Sequence, residues 1–486
     1  MAGVPEGPDP FFRLSPVARS EAVCFAVKRG EIVGRFDGNF WRLTPLFRQR
    51  FSRPIYPAAP LGSVVSLVQY GCSSLATEAP IGAPMLRMNN LQSDGWDLSE
   101  LKYIELESDE LERYRVEPGD LLFNRTNSKE LVGKCEVFSK PGDWVFASYL
   151  IRVRLRSEAV IPQFASDFLN TRSGRLQIDR LSRQIIGMSN INAEELKEIL
   201  LPLPPQARQR ELVAAMDAAR TARRAKLAEA DALLAGVDGF LLDTLGLKPP
   251  PKDDRKVFAV QRSAVLAQGR HDPGFHHPRY VEVLKAFLAS PFEKRSLGAI
   301  SPDIVGGATP TKGSAEFYAT EGIKFFRILN IKSNDFDLSD LNYIKEEVHQ
   351  GELKRSQLEE NDVLMTITGR VGNAAVVTAD LLPANINQHI VRLRIAVRDV
   401  SPQYLAVYLN GSVGLALSNR GVTGGTRVAL DYGTIKAIQI PVPPPAVQDE
   451  IVTEAHRRRQ EARRLRAEAE AEWQAAKRWF EEQLLG

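Results

Sequence analysis

Two long tracts of the sequence place apolar residues at helical spacing and contain few residues that break a helix. The first tract runs from Ala207 to about Leu245, without interior proline and with glycine only near its end. The second runs over Val447–Leu485. Apolar residues recur at steps of three and four, or multiples of these, so each set lies on one helix face: Met216, Ala219, Leu227, Ala230, Leu234, Val237 and Leu241, then Ile451, Ala455, Ala462, Leu465, Ala469, Ala476, Phe480 and Leu484. The pattern predicts two amphipathic helices, each about 60 Å long.

Helices of this length cannot bury their apolar faces against a small domain of their own. Each needs a second long helix, and the chain supplies one, so we expect a coiled coil in which alanines allow close approach. A duplicated unit that pairs with itself most simply adopts two-fold pseudo-symmetry, which makes the helices antiparallel. This arrangement would place two globular domains at opposite ends of a rigid rod. The alternative is two unrelated surface helices.

In the rest of the chain, strand-like runs such as "SYLIRVRLR" and "QHIVRLRIAV" alternate with short helical runs, which predicts mixed α/β (α+β) domains. A stretch rich in proline and charge reads as a linker between two halves. The predicted organisation is an N-terminal extension over 1–23, a first domain over 24–205, a central long helix over 206–246, the linker over 247–257, a second domain over 258–444, and a C-terminal long helix over 445–486.

The two halves repeat one another. "DLSELKYI" at Asp97–Ile104 returns as "DLSDLNYI" at Asp337–Ile344, an offset of 240 residues, and other segments match in the same order. Each copy ends in a similar sequence, "ILLPLPPQARQREL" or "IQIPVPPPAVQDEI", in which the prolines end a strand and begin a long helix. The segments between the matching landmarks differ. We therefore predict two copies of one fold that read two different targets with different polar loops.

Composition adds limits to this picture. A chain of 486 residues is too long for one core, and its net charge of +3 means that a nucleic-acid-binding surface must come from local clusters. Three cysteines without metal-ligand spacing, no long apolar run, and no apolar signal-peptide centre at the N-terminus lead us to expect a soluble cytoplasmic protein.

The motifs of common catalytic sites are not found in the sequence. It has no G-x-x-x-x-G-K-[ST] loop, no G-x-G-x-x-G that opens a helix, and no Asp/Asn-Pro-Pro-Tyr/Phe motif of the kind that grips a target amine. The cluster "HDPGFHH" at His271–His277 could hold a metal, but without a spaced acidic or thiol partner we interpret it as a surface loop. We expect no catalytic residue, no metal site and no cofactor bound by this chain.

The segments that differ between the copies are rich in side chains that hydrogen-bond to base edges in the DNA major groove. Polar residues are common in any loop, so each is a candidate only as part of the set. Between Arg172 and Asn192, four arginines against one aspartate add positive charge suited to phosphate contacts. The candidate DNA-binding residues are Arg87, Asn89, Asn90, Asn124, Arg125, Asn127, Arg183, Gln184, Ser189 and Asn190 in the first copy, and Arg327, Asn330, Lys332, Thr366, Thr368, Arg370, Asn387, Gln388, Arg420, Thr423 and Arg427 in the second.

This organisation resembles the specificity subunit of type I restriction-modification systems. The resemblance covers nearly the whole chain after about residue 24 and includes the proline pairs followed by Gln209 and Gln448. The second copy also has "GGATPT" from Gly306, "GIKFFRILNI", "NDVLMTITG", "NQH" and "GGT". The first copy departs from this pattern, with "YGCSSLATE" in place of the glycine-threonine-proline loop and "ASY" in place of "NQH".

The resemblance implies two target recognition domains, each of which reads one half of a bipartite, asymmetric DNA sequence. The paired helices would set the spacing and dock two methyltransferase subunits with S-adenosylmethionine, and through them two restriction subunits that use ATP and Mg²⁺. The alternatives are the specificity subunit of a related, type IIB-like system with a fused methyltransferase-nuclease partner, a stand-alone DNA-binding regulator, and an enzyme in its own right.

Overall fold

The computed structural model describes residues 35, 37–92, 95–185, 187–310, 317–424 and 428–486. The predicted N-terminal extension over 1–23 lies outside these residues. The chain divides into two compact units, one formed by residues up to Lys226 together with Ala467–Gly486, and one formed by Leu227–Arg466. Each unit therefore contains one part of each long helix.

The first unit is built around a four-stranded antiparallel sheet with the strand order Val65–Tyr70, Leu150–Leu155, Leu121–Asn124, Cys135–Val137. Its smaller sheets are Val145–Phe146, Ala83–Leu86 and Lys102–Ile104; Arg183–Ile185, Met188–Asn190 and Thr126–Asn127; Ala58–Pro60 with Leu200–Pro202; and Leu91–Gln92 with Gly95–Trp96. Its short helices are Gly38–Arg50, Ser108–Tyr114, Pro162–Leu169, Arg172–Leu181 and Ala193–Lys197, with a 3-10 turn at Leu61–Ser63.

The second unit repeats this plan. Its main antiparallel sheet has the order Asp303–Gly306, Ile390–Arg394, Val363–Thr366, Ala374–Val376. The other strands are Tyr318–Ala319, Asn342–Ile344, Ile323–Phe326 and Ala384–Ile386 in one sheet, Glu293–Ser296 with Gln439–Val442, and Ile331–Lys332 with Asp335–Phe336. Its short helices are Arg262–Gln268, Pro278–Ala289, Leu297–Ile300, Glu346–Gln350, Pro402–Asn410, Ser412–Arg420 and Tyr432–Ala437, with 3-10 turns at Ile328–Asn330, Lys354–Ser356 and Ala379–Leu381.

Equivalent side chains make equivalent bonds in the two units, which confirms the internal duplication. The Nδ2 of Asn170 donates to the Cys135 carbonyl at 2.8 Å, and the Nδ2 of Asn410 donates to the Ala374 carbonyl at 2.7 Å. Each ties a helix to the outer strand of the main sheet. The strand residues that accept these bonds are paired equivalently, Cys135 with Phe123 and Ala374 with Met365, so the outer strands of the two sheets have the same register.

The two long helices span Gln206–Leu245 and Pro445–Leu485. In the first unit, Arg208 Nη2 donates to Gln483 Oε1 at 2.6 Å, and Lys226 Nζ lies 2.6 Å from Glu472 Oε1. Residue numbers rise along one helix as they fall along the other. The segments that meet in this unit are therefore antiparallel, as the predicted pseudo-symmetry requires.

The second unit contains the other part of each long helix. Ala230, Ala462 and Leu465 are buried in one cluster, and Arg466 Nη2 lies 2.6 Å from Asp231 Oδ1. The small alanine side chains occupy the buried face that the periodicity predicted. These contacts exclude the alternative of two unrelated surface helices. The placement of the globular domains at opposite ends of a rod stays a prediction.

None of the helices in the described ranges combines the length and the apolarity that crossing a lipid bilayer requires.

Candidate DNA-binding surfaces

A buried glutamine fixes each sheet domain to the start of a long helix. Gln209 Oε1 accepts from the Ile161 N–H at 2.8 Å, while its Nε2 donates to the carbonyls of Ala159 and Pro204 at 3.2 and 2.9 Å. This amide joins three chain segments next to the first proline pair. It is fully buried, so its hydrogen bonds are not exchanged for bonds to water.

Gln448 makes the same set of bonds in the second unit. Its Oε1 accepts from the Ser401 N–H at 2.9 Å, and its Nε2 donates to the carbonyls of Asp399 and Pro443 at 2.7 and 2.8 Å. The recurrence explains why the proline pair and the glutamine occur together in both copies. They orient a domain relative to the helix that follows it.

Two candidate DNA-binding asparagines are buried parts of a loop. Asn90 Oδ1 accepts from the Arg87 N–H at 3.0 Å, and its Nδ2 donates to the carbonyls of Asp97 and Glu100, both at 3.0 Å. Asn330 makes the matching three bonds in the second unit, to Arg327, Asp337 and Asp340. Burial gives both asparagines a structural role, while the flanking Asn89 is exposed.

In the first unit, two segments that lie far apart in the sequence meet in one small sheet. The strand Met188–Asn190 pairs with Arg183–Ile185 on one side and with Thr126–Asn127 on the other, so both divergent segments of the first copy form one surface. Asn190 Nδ2 donates to Thr126 Oγ1 at 2.6 Å, and Asn127 Nδ2 contacts Met88 Sδ at 3.5 Å. Gln184 lies in the strand Arg183–Ile185, and the candidates Asn124 and Ser189 are buried.

Three of the four arginines between Arg172 and Asn192 are occupied by packing or ion pairing, which reduces the positive charge that the sequence suggested here. Arg175 is largely buried and donates to the Val132 carbonyl. Arg180 stacks between the rings of Phe40 and Phe47, at 4.3 and 4.2 Å, and burial lowers its pKa to about 10. Arg183 is exposed but lies 2.7 Å from Glu195 Oε1. Counting charges along the sequence overestimated the free charge because packing and ion pairing occupy these groups.

In the second unit, four polar side chains form a hydrogen-bonded chain across three loops. Thr309 bonds to Gln388, Gln388 Nε2 lies 3.2 Å from His389 Nε2, and His389 Nδ1 lies 2.8 Å from Thr368 Oγ1. Thr368 and Thr423 both bridge to Ala429, which adds a fourth loop. This cluster, Thr309–Gln388–His389–Thr368, presents hydroxyl, amide and imidazole groups of the kind that hydrogen-bond to base edges.

The remaining candidates of the second unit have different surroundings. Arg370 and Thr423 are exposed, and Lys332 lies 3.3 Å from Asp337 Oδ2. Arg327 lies 2.9 Å from Asp340 Oδ2, and Arg420 stacks at 3.9 Å on the Phe275 ring. Thr366 and Asn387 are buried and bond within the loops that carry the cluster. Arg427 lies outside the described residues.

The first copy keeps the backbone geometry of the glycine loop although its motif differs. A Cβ on Gly307 would lie 2.1 Å from the Ile386 carbonyl oxygen, and a Cβ on Gly71 would lie 2.4 Å from the Phe146 carbonyl oxygen. Only glycine permits either approach. The "YGC" and "GGA" segments thus hold the same position, and the departure of the first copy lies in the side chains around that glycine.

Sequence reasoning missed Thr309 and His389 as members of the second cluster. Both lie inside motifs that carried the resemblance, "GGATPT" and "NQH", so a signal was present. Tyr149, which is the first copy's equivalent of His389, is exposed and was also not among the candidates. Among the described residues no group of three His, Cys, Asp or Glu side chains is placed to hold a metal ion.

These observations define a duplicated α/β protein in which each copy brings distant loops together as one hydrogen-bonding surface. Two stretches of the chain, residues 71–227 and 290–454, match the family described as type I restriction modification DNA specificity domain. Together they make up more than half of the chain, and the chain belongs to this family.

Two characterised relatives extend the comparison. The chain is 30% identical over 154 residues to the type I restriction enzyme EcoKI specificity subunit of Escherichia coli K12, which covers 31% of this chain and 33% of that protein. It is 24% identical over 299 residues to the EcoBI specificity subunit of Escherichia coli, which covers 59% of this chain and 56% of that protein. The matches thus span between a third and just over half of these relatives.

Solved structures are also similar to this chain. One belongs to a study of complex assembly and conformational transition of the type I R-M system, with 16% identity, a TM-score of 0.48, and coverage of 88% of this chain and 96% of that chain. Another is the type I restriction-modification system S subunit from M. genitalium, with 12% identity, a TM-score of 0.42, and coverage of 89% and 96%.

Proposed function

We propose that this chain is the DNA-recognition subunit of a type I restriction-modification complex and that each unit reads one half of a bipartite, asymmetric sequence. The observation that carries the proposal is a duplicated frame with two different polar surfaces. Two domains with the same fold but different polar surface residues are suited to binding two different half-sites. Family membership supports the same function.

In this proposal the chain acts in the cytoplasm and makes no bonds itself. The two long helices set the distance between the half-sites and dock two methyltransferase subunits, which bring S-adenosylmethionine. Two restriction subunits join through them and use ATP and Mg²⁺. Readers on one face of B-DNA lie about one helical turn, or about 34–36 Å, apart. Helices of 40 and 41 residues, each about 60 Å long, can hold two domains at that separation.

Co-expression with the methyltransferase gene, followed by mapping of methylated bases in the host genome, tests the proposal. We expect two short half-sites with a fixed unread gap. Gln388→Ala should change base preference in one half and leave the other as it was. A single uninterrupted motif, or equal changes in both halves, would contradict the proposal. Specific DNA binding by the chain without any methyltransferase would favour a stand-alone regulator.

A further inference from the structure

The guanidinium of Arg125 is held at the surface of the first unit by a ring and not by a carboxylate. Its Cζ lies 4.7 Å from the centroid of the Tyr70 ring, and its buried Nε has no hydrogen-bond partner. Within the described part of the chain, this side chain makes no hydrogen bond and no ion pair. Its terminal N–H groups are therefore available to a ligand.

Both the ring and the backbone that carry this guanidinium are fixed. The Tyr70 hydroxyl accepts from the Ala193 N–H at 2.9 Å. The Arg125 N–H donates to the Tyr149 carbonyl at 3.0 Å, and the Arg125 carbonyl accepts from the Ile191 N–H at 3.0 Å. A planar guanidinium held in this way loses little rotational freedom when it binds a planar partner.

Three of the other candidate arginines that the structure describes are occupied. Arg183 pairs with Glu195, and Arg327 pairs with Asp340. Arg420 donates to the Phe275 carbonyl at 3.3 Å, and burial lowers its pKa. Arg125 combines a fixed orientation with unoccupied donors.

The second unit has no arginine at the equivalent position. The Ile367 N–H donates to the His389 carbonyl at 3.0 Å, and the Ile367 carbonyl accepts from the Leu430 N–H at 2.9 Å, which are the bonds that Arg125 makes in the first unit. Ile367 is 8% exposed. The frame thus folds with an apolar residue here, so folding does not require Arg125.

A tyrosine ring occupies the same place in both units, but it comes from a different chain position in each: Tyr70 in the first unit and Tyr432 in the second. Tyr70 pairs with Ile151, and Gly306 takes the same place opposite Val391. A Cβ on Gly306 would lie 1.9 Å from the Tyr432 hydroxyl, and Tyr432 begins a helix as Ala193 does in the first unit. An aromatic ring therefore remains at this place in both units, but among the described residues a guanidinium lies over it in the first unit and none does in the second.

We propose that Arg125, oriented by Tyr70, reads a guanine in the half-site contacted by the first unit, and that the second unit has no equivalent contact. Arginine donates two parallel N–H groups to guanine O6 and N7, and this is the most common specific contact in the major groove. The inference rests on the proposed function, since it assigns a base to one of its two reading surfaces.

Selection from a random-sequence duplex library tests the inference. The protein used for selection is the whole chain in complex with its methyltransferase subunits. It is prepared as wild type and as the variants Arg125→Ala, Arg125→Lys, Tyr70→Leu and Tyr70→Phe. Arg115→Ala is the matched control, because this half-buried arginine of the same unit pairs with Glu112. Thermal unfolding of the Arg125 variants should stay close to wild type, since Ile367 fills the equivalent position in the second unit.

Arg125→Ala and Arg125→Lys should each reduce discrimination at one G·C pair about tenfold or more and leave the other half-site unchanged. Tyr70→Leu should reduce the same discrimination, while Tyr70→Phe, which keeps the ring, and Arg115→Ala should not. Equal weakening on all sequences, or full discrimination with lysine, would show a phosphate contact and overturn the inference. If wild type selects no two-part sequence, the proposed function itself fails.

Discussion

Gln209 and Gln448 each bond to three backbone groups with one buried side-chain amide. Leucine has nearly the same volume as glutamine but can neither donate nor accept a hydrogen bond. Gln209→Leu would leave the Ile161 N–H and the carbonyls of Ala159 and Pro204 without these partners. Their positions are set by the strand, the turn and the proline pair, so they cannot easily find others.

We predict that Gln209→Leu lowers the free energy of unfolding by about 3 kcal/mol, the cost of buried polar groups left unsatisfied. Urea-induced unfolding measures the loss. Gln206→Leu is the control, because both bonds of this side chain, to the Ser157 carbonyl and from Arg210, are exposed, and it should change stability by less than about 0.5 kcal/mol. Equal losses in the two variants would contradict the structural role of Gln209.

The two cysteines of the described residues should be unreactive in the folded protein. Cys72 is 3% exposed and Cys135 is 1% exposed, and burial raises the pKa of the Cys135 thiol. Since the thiolate is the reactive form, both factors suppress attack on a disulfide reagent. A Cys24→Ser variant should react with Ellman's reagent at pH 8 only after denaturation and then show two thiols. Rapid reaction without denaturant would show that these sites open in the native state.

Single residues also show where sequence reasoning ends. Asn90 and Asn330 were predicted to contact bases because the asparagine amide can form two hydrogen bonds with adenine and because base-contacting residues are expected in loops. Their amides instead bond to carbonyls seven and ten positions further along the chain, at Asp97 and Glu100 and at Asp337 and Asp340. Only the loop conformation decides between these roles, and the residue type is the same in either case.

At the scale of elements, the long helices were predictable because one period governs each of them over about 40 residues. The small sheet that joins Thr126–Asn127 to Met188–Asn190 was not predictable, since its strands are two or three residues long and come from segments about 60 positions apart. Neither strand has enough residues to show alternation. Their pairing depends on the main sheet, which brings their starting points together.

The close approach of the long helices in the second unit depends on Ala230, which is fully buried against Ala462 and Leu465. We predict that Ala230→Phe destabilises the protein by about 1–3 kcal/mol, because the added ring must displace packed atoms. Chemical denaturation of Ala230→Phe beside Ala228→Phe measures this. Ala228 is exposed on the same helix, so its variant should unfold like wild type. Equal stability of all three proteins would mean that the two helix segments are not closely packed.

At the scale of the whole molecule, duplication gave a stronger prediction than any single motif. The offset between "DLSELKYI" and "DLSDLNYI" predicted two copies of one fold, and the structure has two main sheets of equivalent strand order and a buried glutamine at the same place in each copy. The surfaces were less predictable because they are the parts that differ between copies. Sequence reasoning named Arg125 among its candidates, but its stack on Tyr70 and its replacement by Ile367 depend on the three-dimensional fold.

The predicted spacer role of the helices can be tested without disturbing either unit. The unit boundaries fall between Lys226 and Leu227 and between Arg466 and Ala467, so an insertion at both positions leaves the contacts within each unit intact. Seven residues add about two helical turns, which keeps the apolar stripe nearly in phase. They also lengthen each helix by about 10 Å, the rise of about three base pairs.

The most direct measurement is therefore the methylome of cells that express this doubly extended chain with its methyltransferase subunits. If the two units are readers held apart by paired helices, the same two half-sites will be methylated with a gap about three base pairs longer. An unchanged gap together with altered bases in the half-sites would contradict the account.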